Sequence, residues 1–132
     1  MVIVYGYTTG NTINQAFPYY YNFKGYEVGI IGLSGLFQRK NVDDPHYICC
    51  DIIKESFITQ PVEKKKSVRA KILRPVLKSG NNLKQEFHPF YVPVTHSNVK
   101  SIRLYIIDSK GTIVTGSGIK VQCVLHFRPR VI

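Results

Sequence analysis

The sequence predicts an all-β protein: a single jelly-roll sandwich of about eight antiparallel strands, forming one domain over residues 1–132. Three observations carry that expectation. The stretch Ile119–Phe127 alternates strictly for most of its length, with Ile119, Val121, Cys123, Leu125 and Phe127 on one side and Lys120, Gln122 and His126 on the other; Val124 is the exception. A period of two in β-branched and aromatic residues marks a half-buried strand. Composition points the same way: nine Tyr and seven Phe stand against one Met and no Trp, a balance that favours strands. Finally, no stretch has sustained helical periodicity, and the connections are too short for βαβ crossovers, which leaves antiparallel pairing. An immunoglobulin-like sandwich is the structural rival, weakened by the missing Trp and by cysteines placed for no inter-sheet bridge.

In chain order, Val2–Tyr7 reads as a short apolar strand ended by Thr8-Thr9-Gly10-Asn11. Tyr19, Tyr20 and Tyr21 follow Pro18 and form a candidate second strand, and Lys24-Gly25 is a turn signal. Tyr26–Leu33 is a third strand interrupted by Gly29 and Gly32, and a glycine in a strand marks a bulge or a close approach of backbone. Gln38–Pro45 is a polar loop. His46–Ile53 then places Ile48, Cys50 and Ile52 on one face and Tyr47, Cys49, Asp51 and Ile53 on the other. Lys54–Ser67 reads as a long irregular connection, because Gln60-Pro61 lacks a ladder N–H and restrains the residue before the proline. Val68, Ala70 and Ile72 alternate with Arg69, Lys71 and Leu73 up to Arg74-Pro75, and Lys78–Asn82 is a turn. Glu86–Val94 carries Pro89 and Pro93, so it belongs at a sheet edge or carries a bulge. Ile102, Leu104 and Ile106 alternate with Arg103, Tyr105 and Ile107 before the turn chemistry of Asp108-Ser109-Lys110-Gly111.

A chain of 132 residues buries about two-thirds of its unfolded surface, enough for a core without disulfide or metal. Its formal charge is +10, which favours polyanionic partners. The charge is densest from Lys64 to Lys84, where Lys64, Lys65, Lys66, Arg69, Lys71 and Arg74 form a candidate polyanion contact in a segment free of acidic residues. Such a face suits a phosphate backbone, but no aromatic is interleaved with these cations, which argues against stacking on single-stranded bases. The plain alternative is a solvated loop followed by an exposed strand face.

Catalytic, cofactor and metal sites are not expected. His46, His88, His96 and His126 stand apart, with no His-x-His pair of the kind that converges on a metal in a barrel. Cys123 and His126 are three apart on a strand and face opposite ways. Asp43-Asp44 reads as a solvated turn, and there is no G-x-S-x-G, Walker-type loop or H-E-x-x-H. Cys49 and Cys50, adjacent on a strand, point to opposite faces; free, partly buried thiols in a reducing compartment are expected for all three cysteines. The first residues, MVIVYGYTTG, lack the features of a signal peptide, and no apolar run approaches a membrane span. The expected place of synthesis and use is inside a cell.

Five motifs carry a family resemblance: the tyrosine-containing strand Tyr47–Ile52 with its Asp-Ile pair, Ala70–Val76 ending in Arg74-Pro75-Val76, Tyr91-Val92-Pro93, the Ile-Arg-x-x-Ile-x-Asp-x-x-Gly strand and turn over Ile102–Gly111, and Val124-Leu125-His126-Phe127-Arg128. Together they make the chain resemble the penton-type minor capsid proteins of Polinton (Maverick) elements, virophages and adintoviruses. The resemblance covers Tyr47–Arg130; Ile113-Val114 stand where the family has Pro-Phe, and the first 45 residues match loosely. It implies a structural protein of an icosahedral double-stranded DNA virus or virus-like element, or a domesticated copy of one. Such a protein would assemble as a homopentamer at the capsid vertex of the virion, beside the major capsid protein and above the packaged DNA. Tyr19, Tyr20, Tyr21 and the loop Lys54–Ser67 are the candidate subunit contacts, tyrosine being favoured at interfaces. The alternative function is a basic β-domain that binds nucleic acid non-specifically. A cupin-type or sugar-binding jelly roll is a third reading.

Overall fold

Two antiparallel sheets face each other across one apolar layer in the computed structural model, which describes residues 2–4, 12–37, 45–59, 67–76, 80–86, 88–114 and 119–131. The strands are β1 (Val2–Val4), β2 (Thr12–Asn22), β3 (Tyr26–Phe37), β4 (His46–Cys50), β5 (Ser56–Thr59), β6 (Ser67–Ala70), β7 (Ile72–Val76), β8 (Gly80–Glu86), β9 (Val92–Pro93), β10 (Asn98–Ile107) and β11 (Ile119–Pro129). The first sheet runs β1-β11-β3-β8, with β9 also on β3; the second runs β2-β10-β4-β7; β5 and β6 pair as a separate hairpin. All pairings are antiparallel. The fold is a β-sandwich.

The pairing follows a simple rule. β1 pairs β11, β2 pairs β10, and β4 pairs β7, while β3 carries β8 on one side and β11 on the other. The chain therefore runs out through β1–β4 and returns antiparallel through β7, β8, β10 and β11, as a long hairpin rolled until β11 meets β3 and β10 meets β4.

Alternation places the core. Val121, Cys123, Leu125 and Phe127 of β11 and Ile102, Leu104 and Ile106 of β10 are buried against each other, with Val28, Ile30 and Leu33 of β3 and Ile48 and Cys50 of β4. Phe23 stacks on Phe127 at 4.4 Å between ring centroids, closing one end of the layer. Burying these side chains stabilises the sandwich by roughly 1.5–3 kcal/mol each before entropy is counted. A second, smaller cluster lies on the outer face of the second sheet, where Cys49 and Ile107 are buried among Tyr47, Ala70, Ile72, Tyr105 and Ile113. The two adjacent cysteines thus serve different clusters, as strand geometry requires.

Several expectations are corrected. Ile53 lies in the main core and not on the opposite face, because β4 ends at Cys50 and the turn at Asp51-Ile52 resets the alternation. The third strand runs through its glycines to Phe37. Gly80–Glu86 is a full strand where a turn was expected at its start, held by pairing with β3 that local composition does not reveal. The Lys54–Ser67 connection contributes β5, and the strand expected over Glu86–Val94 reduces to β9, preceded by an extended strap, His88–Tyr91.

The turns predicted at Lys24-Gly25 and Asp108–Gly111 form. Tyr26 N donates to Phe23 O (2.9 Å) and Asn22 Oδ1 accepts from Lys24 N (3.0 Å), with Gly25 at φ 75° in the third position, as a type II turn needs. Asp108 Oδ1 accepts from the amides of Lys110 (2.9 Å) and Thr112 (3.0 Å), the side-chain mimicry that makes Asp a turn former.

Candidate functional site

Of the predicted polyanion contact, Arg69, Lys71 and Arg74 are among the described residues, and they fall on β6, at the break after it and on β7. Lys64, Lys65 and Lys66 lie outside the described residues. Arg69 is exposed on β6, but the strand breaks at Lys71, so Arg69 and Lys71 do not share one strand face as expected. Lys71 instead turns its Nζ onto Asp51 O at 2.8 Å, and Arg74 donates through Nη1 to His88 O at 2.9 Å. Lys71 and Arg74 thus hold neighbouring backbone, Lys71 at a half-buried carbonyl that would otherwise lack a partner and Arg74 at an exposed one.

The three candidate contact tyrosines are separated too. Tyr21 is half-buried, edge-on to Phe17 (4.9 Å) and stacked over Phe23 (5.9 Å), so it supports the core. Tyr19 and Tyr20 are 74% and 67% exposed. The register shows why. Tyr21 pairs Val99 and Ala16 pairs Ser101, so the residues between, Phe17–Tyr20, stand against Lys100 alone. Pro18 supplies no N–H to the ladder there, Phe17 anchors the bulge in the core, and the two tyrosines project from it.

Lys100 meets Tyr20 from the neighbouring strand, and Arg103 meets Tyr105 along its own. Lys100 Nζ sits 5.4 Å from the Tyr20 ring centroid, and the Arg103 guanidinium carbon lies 5.4 Å from that of Tyr105, both within cation–π range. Lys100, Ser101 and Arg103 are exposed on the outer side of β10, while Val99, Ile102 and Leu104 point into the core. Asp51 lies alongside: its N donates to Arg103 O (3.1 Å) and its Oδ1 accepts from Arg103 N (2.9 Å). One oxygen of that carboxylate is thus engaged by backbone. Sequence reasoning missed this grouping. Arg103 and Tyr105 were readable as one face of the alternating strand, but Tyr20 reaches Lys100 only through a bulged register that Pro18 hints at.

On the outer face of the first sheet, the strap His88–Tyr91 crosses β3 at Gly29. A Cβ there would lie 3.0 Å from Phe90 O and 3.3 Å from Pro89 Cβ, the close backbone approach that the glycine suggested. Tyr91 Oη shares a 2.5 Å hydrogen bond with His126 Nδ1, and Arg128 lies 3.4 Å over the Tyr91 ring. Arg128 is held in turn by Glu27, at 3.1 Å. His126 therefore faces outward as expected, yet half-buried beside Tyr91. Phe90 is left 71% exposed at the crest of the strap.

The three thiols are free and buried. Burial in an apolar surrounding pushes Cys49, Cys50 and Cys123 up to about 12, and burial also raises Tyr105. Such thiols carry almost no thiolate near neutrality and are poor nucleophiles and ligands. Among the described residues no group of three or more His, Cys, Asp or Glu could hold a metal ion, and no helix is long and apolar enough to cross a membrane.

No family model, curated protein or solved structure matches the chain. Function is therefore argued from the geometry of the chain itself.

Proposed function

We propose that this chain is a penton-like minor capsid protein: a single jelly roll that assembles as a homopentamer at the vertices of an icosahedral double-stranded DNA virus or virus-like element, with major capsid protein around it. The observation that carries the reading is the strand order. Setting aside the short β5, β6 and β9, the two sheets run first-eighth-third-sixth and second-seventh-fourth-fifth along the chain, the order produced by rolling one long antiparallel hairpin into two Greek keys. Jelly rolls of this kind recur in viral capsids, where lateral packing of rigid sandwiches is the function.

The motif residues support the same reading by where they sit. Tyr91 of the Tyr-Val-Pro motif and His126 and Arg128 of the closing motif come from chain segments 35 residues apart and lock together over the first sheet. Asp108 and Gly111 close the turn after β10. These are scaffold roles, suited to a protein whose task is to hold a shape among neighbours.

The decisive experiment is the native mass of the purified protein. A species at five times the 15.1 kDa chain, or five-fold density at the vertices of particles formed with a major capsid protein, is the expected result. A protein that stays monomeric at high concentration and never enters such particles overturns the proposal.

A further inference from the structure

We infer that the outer face of the second sheet, where the bulge of β2 meets β10, is a binding platform for single-stranded nucleic acid. In this platform Tyr19 and Tyr20 stack on bases, Lys100 and Arg103 take phosphates, and Tyr105 holds the Arg103 guanidinium in place. The inference stands apart from the capsid reading: it follows from this surface alone.

The surface combines exposed rings with exposed cations. Tyr19 and Tyr20 are large rings left 74% and 67% exposed, on a bulge whose inward residue, Phe17, is buried and fixes its position. Exposed rings on a fixed base lose little entropy when a planar partner stacks on them. Lys100, beside Tyr20, and Arg103 are both exposed and about 10 Å apart along the strand. Each is already directed by an aromatic ring: Lys100 by Tyr20, Arg103 by Tyr105. Tyr105 is itself packed against the Cys49–Ile107 cluster, so Arg103 rests on a rigid support.

The chemistry selects the occupant. Cations along a backbone track with aromatic rings beside them is how single strands are held without sequence preference, each stacked base contributing about 1–3 kcal/mol. A duplex hides its base faces and leaves Tyr19 and Tyr20 unused. A second copy of this chain seated here would bury Lys100 and Arg103, which are exposed, at the junction, and the pentamer readout below tests that occupant. An acidic protein satisfies the cations but sets a ring beside each acid only where its own sequence does so, whereas every nucleotide carries a phosphate and a planar base together.

The test measures binding of a labelled single-stranded oligo-dT of about 16 nucleotides, compared with a duplex of equal length and with heparin, by fluorescence anisotropy. The expected result is that Tyr20→Ala weakens oligo-dT binding about tenfold, that Tyr20→Phe restores it, and that neither change alters heparin binding. Lys100→Ala with Arg103→Ala should weaken all three ligands and flatten the salt dependence. Tyr20→Trp adds a tryptophan to a chain that has none, and its fluorescence should be quenched when a base stacks on it. The inference is overturned if Tyr19→Ala/Tyr20→Ala leaves oligo-dT affinity unchanged, which would reduce the face to a general polyanion surface. It is equally overturned if that double variant abolishes a pentamer while oligo-dT binding survives, which would make the bulge a subunit contact. Native mass reports on the capsid reading and anisotropy on this one, so either can fail alone.

Discussion

Two glycines separate steric demand from conformational demand. Gly29 has ordinary backbone but no room: a Cβ would meet Phe90 O at 3.0 Å and Tyr91 Cδ1 at 3.4 Å. Gly25 has room but a φ of 75°, where an L side chain costs about 1–2 kcal/mol. Gly29→Val is expected to lower stability by about 1–3 kcal/mol by displacing the strap, and Gly29→Asn should do no better. Gly25→Ala should cost about 1 kcal/mol, and Gly25→Asn less, since Asn tolerates the left-handed region. Denaturant midpoints of the four variants check this; equal losses for Gly25→Asn and Gly25→Ala would remove the conformational explanation. At this scale the sequence was informative where the residue acts locally. Lys24-Gly25 and Asp108–Gly111 announce their turns, and Gly29 announces a close approach. The identity of what approaches was not readable, because Phe90 is 61 residues away and its position depends on β3 and β9 pairing.

Elements show the same division between local pattern and distant partner. β10 and β11 were legible because alternation over most of their length writes burial into the sequence. β8 was not: GNNLKQE has turn composition, and its pairing with β3 is what makes it a strand. The candidate site divides likewise. The cations of the segment from Lys64 to Lys84 were conspicuous in sequence, yet Lys71 and Arg74 are spent on carbonyls of Asp51 and His88. Arg103 and its ring partner Tyr105 share one face of β10, but Lys100 meets Tyr20 only across a bulged register with β2. The strap offers the clearest test of an element. Tyr91 is held by His126, by the Arg128 guanidinium and, through it, by Glu27. Tyr91→Phe removes one hydrogen bond and should cost about 1 kcal/mol. Arg128→Ala removes the cation–π contact together with the ion pair and should release the strap more fully. Chymotrypsin cleavage after the exposed Phe90 reads that release directly: the rate should rise in the order wild type, Tyr91→Phe, Arg128→Ala. If all three are cleaved alike, the strap is held by Gly29 packing and β9 alone.

For the whole molecule, the three buried thiols couple stability to alkaline pH. In the folded state Cys49, Cys50 and Cys123 are raised from 9.0 to about 12 by burial; in the unfolded chain they ionise near their ordinary value. Below pH 9 both states keep the thiols protonated and the groups make no difference. Between 9 and 12 the unfolded chain loses protons that the folded one retains, so the unfolded state is favoured and stability falls as pH rises. Each thiol contributes a slope approaching 1.4 kcal/mol per pH unit, an order-of-magnitude figure; Tyr105, also raised by burial, adds to the loss at higher pH. Because Cys50 and Cys123 lie in the main core and Cys49 in the outer cluster, the effect reports on both sides of the second sheet at once. Urea midpoints should be flat from pH 7 to about 8.5 and decline steeply above 9. Cys123→Ala should lower the midpoint at pH 7 through the lost packing yet shallow the alkaline decline by about a third, since one of three titrating groups is gone. Thiol reagents should label none of the three in the native protein at pH 8 and all of them in denaturant. A native protein that labels readily at pH 8, with an unchanged midpoint from pH 8 to 11, would mean that these thiols are open to water and that the two faces of β4 are not packed as described.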